Sequence, residues 1–133
     1  MTAGDARIAS EAADIAFKSW KNTTAKERSK VILKMASLME HYKKDLATLV
    51  TLEAGKPTAE ALGEVNYAIS FYELYSEECK RVTGEILQTG VRGRRPLAIH
   101  QPCGPAALIT PWNFPLAMVT RKVGRYARCC AIV

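Results

Sequence analysis

Apolar residues in the first two thirds of the chain recur at helical spacing, and the period changes after Gly84. Ile8, Ala12, Ile15 and Ala16 share one helical face that Trp20 continues, so a first helix is predicted to bury that stripe. Asn22, Thr23 and Thr24 interrupt the pattern. Thr24-Ala25-Lys26-Glu27 then has the spacing of a capping box, in which the Thr hydroxyl and the Glu carboxylate satisfy backbone donors that a helix start leaves unpaired. A second helix is predicted to follow without interruption, burying Val31, Met35, Leu38, Met39, Tyr42, Leu46 and Leu49. Gly55-Lys56-Pro57 ends it, because Gly suits the left-handed cap and Pro cannot extend the hydrogen-bond ladder. A third helix runs from about Thr58 to Arg81, with Leu62, Val65, Ile69, Tyr72 and Cys79 near one face. Its Gly63 costs ~1 kcal/mol relative to Ala.

Beyond Gly84 the pattern is that of strands and turns. Residues 85–89 and 97–101, separated by the turn-like Gly90-Val91-Arg92-Gly93, predict a β-hairpin. Ala106-Ala107-Leu108-Ile109 is a short unbroken apolar run, which suits a strand buried on both faces of a parallel sheet. Thr110-Pro111-Trp112-Asn113-Phe114-Pro115 is a turn, and residues 116–128 read as a helix with Pro115 at or near its start. Ala131-Ile132-Val133 resembles the opening of a second buried strand. The predicted class is α/β: amino-terminal helices, a hairpin, and the first strand-turn-helix of a Rossmann-like parallel sheet.

At 133 residues, with 48% hydrophobic and 24% charged residues, the chain is globular in composition and fits one domain. No apolar run approaches the ~20 residues of a membrane span, and no secretory signal is evident. The default compartment is the cytoplasm, or the mitochondrion if an upstream leader is missing. Cys79, Cys103, Cys129 and Cys130 form no Cys-x-x-Cys pair, and His41 and His100 add no ligand spacing, so free thiols and no metal are expected. Up to Glu85 the chain holds 12 basic against 13 acidic residues, whereas residues 86–133 hold seven basic residues and no acid. A basic tail can bind nucleic acid. Aromatic residues are not interleaved with these arginines as a stacking platform requires, which favours packing against an acidic segment instead.

The turn at residues 110–115 is the most chemically suggestive place. It follows a predicted apolar strand, and ligands bind at the carboxyl ends of strands in open parallel sheets. Prolines on both sides of Trp112-Asn113-Phe114 stiffen the backbone. An amide held at fixed orientation is what stabilising a developing oxyanion requires. The same residues also describe a rigid turn whose Trp112 and Phe114 are core.

Gln101-Pro102-x-Gly104, the apolar run, and Ile109-Thr110-Pro111-Trp112-Asn113-Phe114-Pro115 closely resemble the aldehyde dehydrogenase superfamily. Upstream, Thr51-Leu52-Glu53-x-Gly55-Lys56-Pro57, Glu60-Ala61 and Gly63-Glu64-Val65-x-Tyr67 agree with it. Ala25-Lys26-Glu27-Arg28 and Thr120-Arg121-Lys122-Val123-Gly124 resemble more narrowly the succinate-semialdehyde dehydrogenase branch. The likeness runs over residues 5 to 124.

The resemblance implies NAD(P)+-dependent oxidation of an aldehyde, in this branch succinate semialdehyde, to the acid. A cysteine thiolate attacks the carbonyl, and a glutamate activates the hydrolytic water. Asn113 is matched to the amide that donates to the oxyanion, and Ile109, Thr110, Pro111 and Trp112 to the nicotinamide-ribose side of NAD or NADP. Arg121 is matched to the arginine that pairs with the distal carboxylate, a task suited to a bidentate guanidinium; otherwise it is a solvated helix-face arginine. Residues 1–84 would belong to the cofactor-binding domain, 85–103 to the hairpin of the oligomerisation arm, and 104–133 to the start of the Rossmann-like unit.

The family's cysteine nucleophile and glutamate base have no counterpart in these 133 residues, and Cys129 and Cys130 fall too early to be that nucleophile. The chain alone is therefore expected to be inactive. Residues 125–130 also replace a stretch that is small and alanine-rich in the family. Two other functions stay open. One is a non-catalytic module that associates with itself or with a full-length homologue through its hairpin. The other is a basic nucleic-acid binder using Arg92, Arg94, Arg95 and the late arginines.

Overall fold

A computed structural model describes residues 2–129. The elements in chain order are α1 (Ala3–Trp20), α2 (Ala25–His41), α3 (Lys43–Ala54), α4 (Thr58–Glu78), a 3-10 turn (Cys79–Arg81), β1 (Glu85–Ile86), β2 (Leu97–Ala98) and α5 (Ala117–Cys129). The fold is mostly helical with one small antiparallel sheet. The expected strand at residues 131–133 lies outside the described residues.

Helix α4 is the organising element, because α2, α3 and α5 all pack on it. It buries Ala61, Val65, Ala68, Ile69, Tyr72 and Ser76, largely the face expected from the periodicity. The remaining core comes from Ile32 and Ala36 of α2, Ala47 and Val50 of α3, Cys79 and Ala127. Fully burying a side chain such as Ile32 or Val65 contributes ~1.5–3 kcal/mol.

The capping box at Thr24 forms as expected. The Glu27 N–H donates to Thr24 Oγ1 at 3.3 Å, and the Thr24 N–H donates to Glu27 Oε2 at 2.7 Å. Gly55 closes α3 with φ of 68°, the left-handed conformation anticipated there. The expected continuous second helix instead bends at Tyr42 (φ −96°, ψ 19°), although no Gly or Pro stands there. Backbone bonds of 3.0 Å still run from the Tyr42 N–H to Leu38 and from the Leu46 N–H to Tyr42, so the axis turns without the ladder being lost.

The buried face of this region also differs from the expected stripe. Ser29, Ile32, Ala36, Ala47 and Val50 are buried; of the expected stripe Met35, Met39 and Leu46 pack half-buried against the core, whereas Val31, Leu38, Tyr42 and Leu49 are exposed. Small residues let α2 and α3 approach α4 closely, and that closeness outranks side-chain size in choosing the face. Helix α1 departs further. Ala13 is its buried residue, Trp20 is half-buried, and Ile8 and Ile15 stay 67% and 68% exposed, because no described element packs extensively on it.

The hairpin is shorter than the alternation suggested. Glu85 pairs with Ala98 and Ile86 with Leu97, antiparallel, and residues 87–96 form the connection. Residues 106–109 are not a strand. A parallel strand exists by virtue of its ladder, and among the described residues none pairs with this segment. The segment is therefore not buried on two faces: Ile109 is 84% exposed. Its end is tied to α5 instead, where the Lys122 ammonium donates to the Ile109 carbonyl.

Candidate functional site at the loop before helix α5

The loop 110–116 joins the extended segment to α5, and its placement is decided at the start of that helix. A helix leaves its first N–H groups unpaired. Here the Leu116 and Ala117 N–H groups donate to Glu64 Oε1 at 2.9 and 3.2 Å. Glu64 therefore caps α5 from the neighbouring helix, with its negative charge at the positive end of the helix dipole.

The Glu64 side chain is 1% exposed, and a carboxylate so buried needs a counter-charge. Lys56 supplies it, donating to Glu64 Oε2. The same ammonium donates to the Asn113 carbonyl at 3.2 Å and sits 4.1 Å from the centre of the Phe114 ring. The local sequence explains how the two meet. Lys56 stands at the left-handed break before α4, and Glu64 follows two turns into the helix on the face that also carries Ala61 and Ala68. Side chains on a helix lean toward its amino end, so the Glu64 carboxylate reaches back toward Lys56. Burial, the largest single influence, pushes the Glu64 carboxyl upward. The Lys56 ammonium and the two amides together outweigh it, leaving the group below the usual glutamate range.

The opposite end of α5 is held as well. Arg28 Nε donates to the Arg128 carbonyl at 3.0 Å, while its Nη1 donates to the Thr23 carbonyl. The Arg128 guanidinium reaches Glu78 Oε2 at 3.4 Å. An anion at the amino end and a cation at the carboxyl end both complement the helix dipole.

Asn113 is exposed, and no described residue hydrogen-bonds its side-chain amide, which is free to donate. Trp112 is 86% exposed and Ile109 84%; Pro111 is exposed and Thr110 half-buried. Neither Trp112 nor the 40%-exposed Phe114 is core. Arg121 lies on α5, with its guanidinium carbon 5.8 Å from the centre of the Phe71 ring. It lines an open groove of about 710 Å³ with Tyr75, Leu108, Met118, Arg125 and Tyr126. Ile109, Thr110, Pro111, Trp112 and Asn113 do not line that groove, so the sequence-predicted residues fall in two neighbouring places joined by the first turns of α5.

Lys56, Glu64 and Arg28 were not among the candidate residues read from the sequence. A signal for Glu64 existed: it is the one carboxylate between Ala61, Val65 and Ala68 on the buried face of α4, and buried carboxylates are rare unless paired. Nothing in the spacing tied Lys56 to Asn113, because that contact joins residues 57 positions apart. Of the cysteines whose side chains are described, Cys79 is buried and Cys103 exposed. Among the described residues no group of His, Cys, Asp and Glu could hold a metal.

The model of the aldehyde dehydrogenase family matches residues 1–133, and the chain belongs to that family. It is similar to the mitochondrial succinate-semialdehyde dehydrogenase of Hylobates lar, 51% identical over 130 residues that cover 97% of this chain and 24% of that protein. The mitochondrial succinate-semialdehyde dehydrogenase of Arabidopsis thaliana is 52% identical over 119 residues, 89% of this chain and 22% of that protein. Among solved structures, succinate-semialdehyde dehydrogenase from Burkholderia pseudomallei matches with a TM-score of 0.94 and 45% identity, over 100% of this chain and 28% of that one. The chain thus spans about a quarter of the length of these relatives, and its fold is the amino-terminal part of the aldehyde dehydrogenase fold. The relatives' mitochondrial names lend no support to the cytoplasmic expectation. No described helix is long and apolar enough to cross a membrane.

Proposed function

We propose that this chain carries the oxyanion-stabilising side and part of the cofactor surface of an NAD(P)+-dependent aldehyde dehydrogenase acting on succinate semialdehyde. The observation that carries the reading is Asn113. Its main chain is held by Lys56, while its side-chain amide is exposed and unengaged. As a nucleophile adds to an aldehyde carbonyl, negative charge gathers on the oxygen. A donor already aimed at that position lowers the barrier without reorganising.

Ile109 and Trp112 present apolar surface on the same loop, with 84% and 86% of each exposed, and this suits the flat face of a nicotinamide and its ribose. NAD(P)+ supplies the hydride acceptor when bound. Ile109, Thr110, Pro111 and Trp112 would hold and orient that ring and keep water from it. Arg121 would pair with the far carboxylate of the substrate, its fixed charge selecting a semialdehyde over an uncharged aldehyde. We place residues 1–84 and 104–133 in the cofactor-binding domain and residues 85–103 in an oligomerisation arm.

The test is a polypeptide that joins residues 1–124 to the remainder of the Burkholderia pseudomallei enzyme. It should oxidise succinate semialdehyde with NAD+ or NADP+. Asn113→Ala should lower its kcat by about 100-fold or more with little change in KM, as loss of one oxyanion donor does. Arg121→Leu should raise KM for succinate semialdehyde and leave propanal unaffected. Undiminished kcat in the Asn113 variant removes the reading.

One observation favours a second role. Ile86, Leu97 and Ile99 of the hairpin region are 74%, 70% and 71% exposed, an apolar surface suited to association with a full-length homologue. Tagged chain should then co-purify with a co-expressed homologue, and Ile86→Glu should abolish the capture.

A further inference from the structure

Nothing in the reading above gives Lys56 or Glu64 a part in the chemistry, yet they touch the loop of Asn113 from both sides. Lys56 grips the earlier side through the Asn113 carbonyl at 3.2 Å and the Phe114 ring at 4.1 Å. Glu64 grips the later side through the Leu116 and Ala117 N–H groups at 2.9 and 3.2 Å. Between them stands Pro115, which has no N–H to offer. The two grips are joined to each other by the ion pair.

We propose that Lys56 and Glu64 are positioning residues for Asn113: a buried ion pair that fixes the loop's main chain, so that the Asn113 side chain projects from one set backbone position. The proposal rests on the reading of Asn113 as the oxyanion donor.

Three features support it. First, the polar grips fall on main-chain atoms, which leaves the Asn113 side chain free for a ligand. Second, little burial orders the neighbouring side chains, since Ile109 and Trp112 are 84% and 86% exposed, so the loop depends on its polar anchors. Third, the clamp is itself buried. Glu64 is 1% exposed, on a helix that carries the core residues Ala61, Val65 and Ile69, and Lys56, just before that helix, is 14% exposed. Swinging either side chain away would leave the other charge buried and unpaired, which is strongly unfavourable. A donor that acts by preorganisation needs this rigidity, because a loose donor loses most of its advantage over water.

The simpler alternative makes Glu64 only a cap for α5 and Lys56 only its counter-ion. The two differ in what Lys56 does. A cap role affects the stability of α5 and leaves the motion of Asn113 unchanged. A positioning role ties that motion to the ammonium.

The experiment uses the full 133-residue chain, isotopically labelled, with nuclear magnetic resonance relaxation read at the main-chain amides of Asn113 and Phe114. In the unaltered chain both should be ordered, with order parameters near the rigid value of about 0.85. Lys56→Met should drop them below about 0.6 while amide protection across α2 to α4 stays unchanged. Lys56→Arg should restore them, because a guanidinium can still reach both the carboxylate and the carbonyl. The order should also titrate away in acid as Glu64 takes up a proton, together with the Leu116 and Ala117 amide signals.

Equal order in Lys56→Met and the unaltered chain overturns the proposal, as does a Lys56→Arg variant no better than Lys56→Met. Loss of α2–α4 protection in Lys56→Met also overturns it, by showing the pair to be part of the general core. Failure of the oxyanion reading has a separate signature, undiminished kcat in the Asn113→Ala fusion enzyme, which no change in loop order produces.

Discussion

Two glycines on the helices that flank the site should respond in opposite directions to the same substitution. Gly124 lies in α5 where it crosses α4. A Cβ added there would stand 2.7 Å from Tyr75 Cδ2 and 3.3 Å from Tyr75 Cβ. The ring can rotate; the Tyr75 Cβ cannot, because it is fixed to the α4 backbone. Gly124→Ala must therefore push the helices apart by a few tenths of an ångström. Overpacking of this kind costs ~1–3 kcal/mol, against a gain of ~0.8–1.0 kcal/mol from replacing a helical Gly by Ala. The balance is destabilising by about 0–2 kcal/mol. Gly63 is the control: it lies in α4, and an added Cβ meets nothing within 4 Å. Gly63→Ala should realise the propensity gain undiminished, about 1 kcal/mol of added stability. Urea unfolding followed by circular dichroism reads both, and a change of 1 kcal/mol corresponds to roughly 3–5 °C in Tm for a chain of this size. A Gly124→Ala variant as stable as Gly63→Ala would refute the close α4–α5 crossing on which the placement of the loop depends.

Ile32→Ala, at a fully buried position, should cost about 2–5 kcal/mol, whereas Ile8→Ala, at 67% exposure, should change stability by less than about 0.5 kcal/mol; equal effects would contradict the placement of the core. Thr24→Ala should cost about 1 kcal/mol by breaking the reciprocal capping box, and a Thr24–Glu27 double-mutant cycle should show strong coupling between the two. Asp5, Glu27 and Glu64 all sit below the ordinary carboxyl range in the folded chain. For Asp5 and Glu27 the first cause is a backbone hydrogen bond, and for Glu64 the Lys56 and amide bonds prevail over burial. A depressed folded value means the stabilisation is fully present above the unfolded value, about 4. It disappears as pH falls through the lowered value, so stability measured in urea should decline on acidification, and a rise would show the sign to be wrong.

Where the chain becomes helical was legible because local chemistry decides it. Thr24 with Glu27 announces a start, Gly55 a left-handed stop, and the apolar repeat of α4 names Val65, Ile69 and Tyr72 of its buried face. Which face α2 and α3 bury was not legible. The expected stripe favoured bulky Leu38, Tyr42 and Leu49, while closeness to α4 selected Ser29, Ala36 and Ala47. Ile8 and Ile15 show the same limit, since periodicity says that a face is apolar and not what covers it. The segment 106–109 was read as a strand from composition, but a strand is a relation between two segments, and among the described residues it has no ladder. The sequence drew attention to Asn113 through its prolines. It placed Lys56 and Glu64 in motifs but gave them no role, because their link to the loop exists only across the folded helices.

That difference bears on how the site is built. If the loop's geometry were inherited from the extended segment before it, Asn113 would be only as well placed as Ile109, whose side chain is 84% exposed. The hydrogen bonds run elsewhere. They join the loop to α4 through Glu64 and Lys56, and the far end of α5 to α2 through Arg28. Even the Ile109 carbonyl is tied to α5 through Lys122. The helical layer therefore sets the position of the Asn113 main chain, and the apolar segment is attached to that layer in turn. A charged pair suits this task better than an apolar contact would. It fixes specific main-chain atoms at hydrogen-bond distance, whereas apolar packing resists separation but restrains rotation of a single loop carbonyl only weakly.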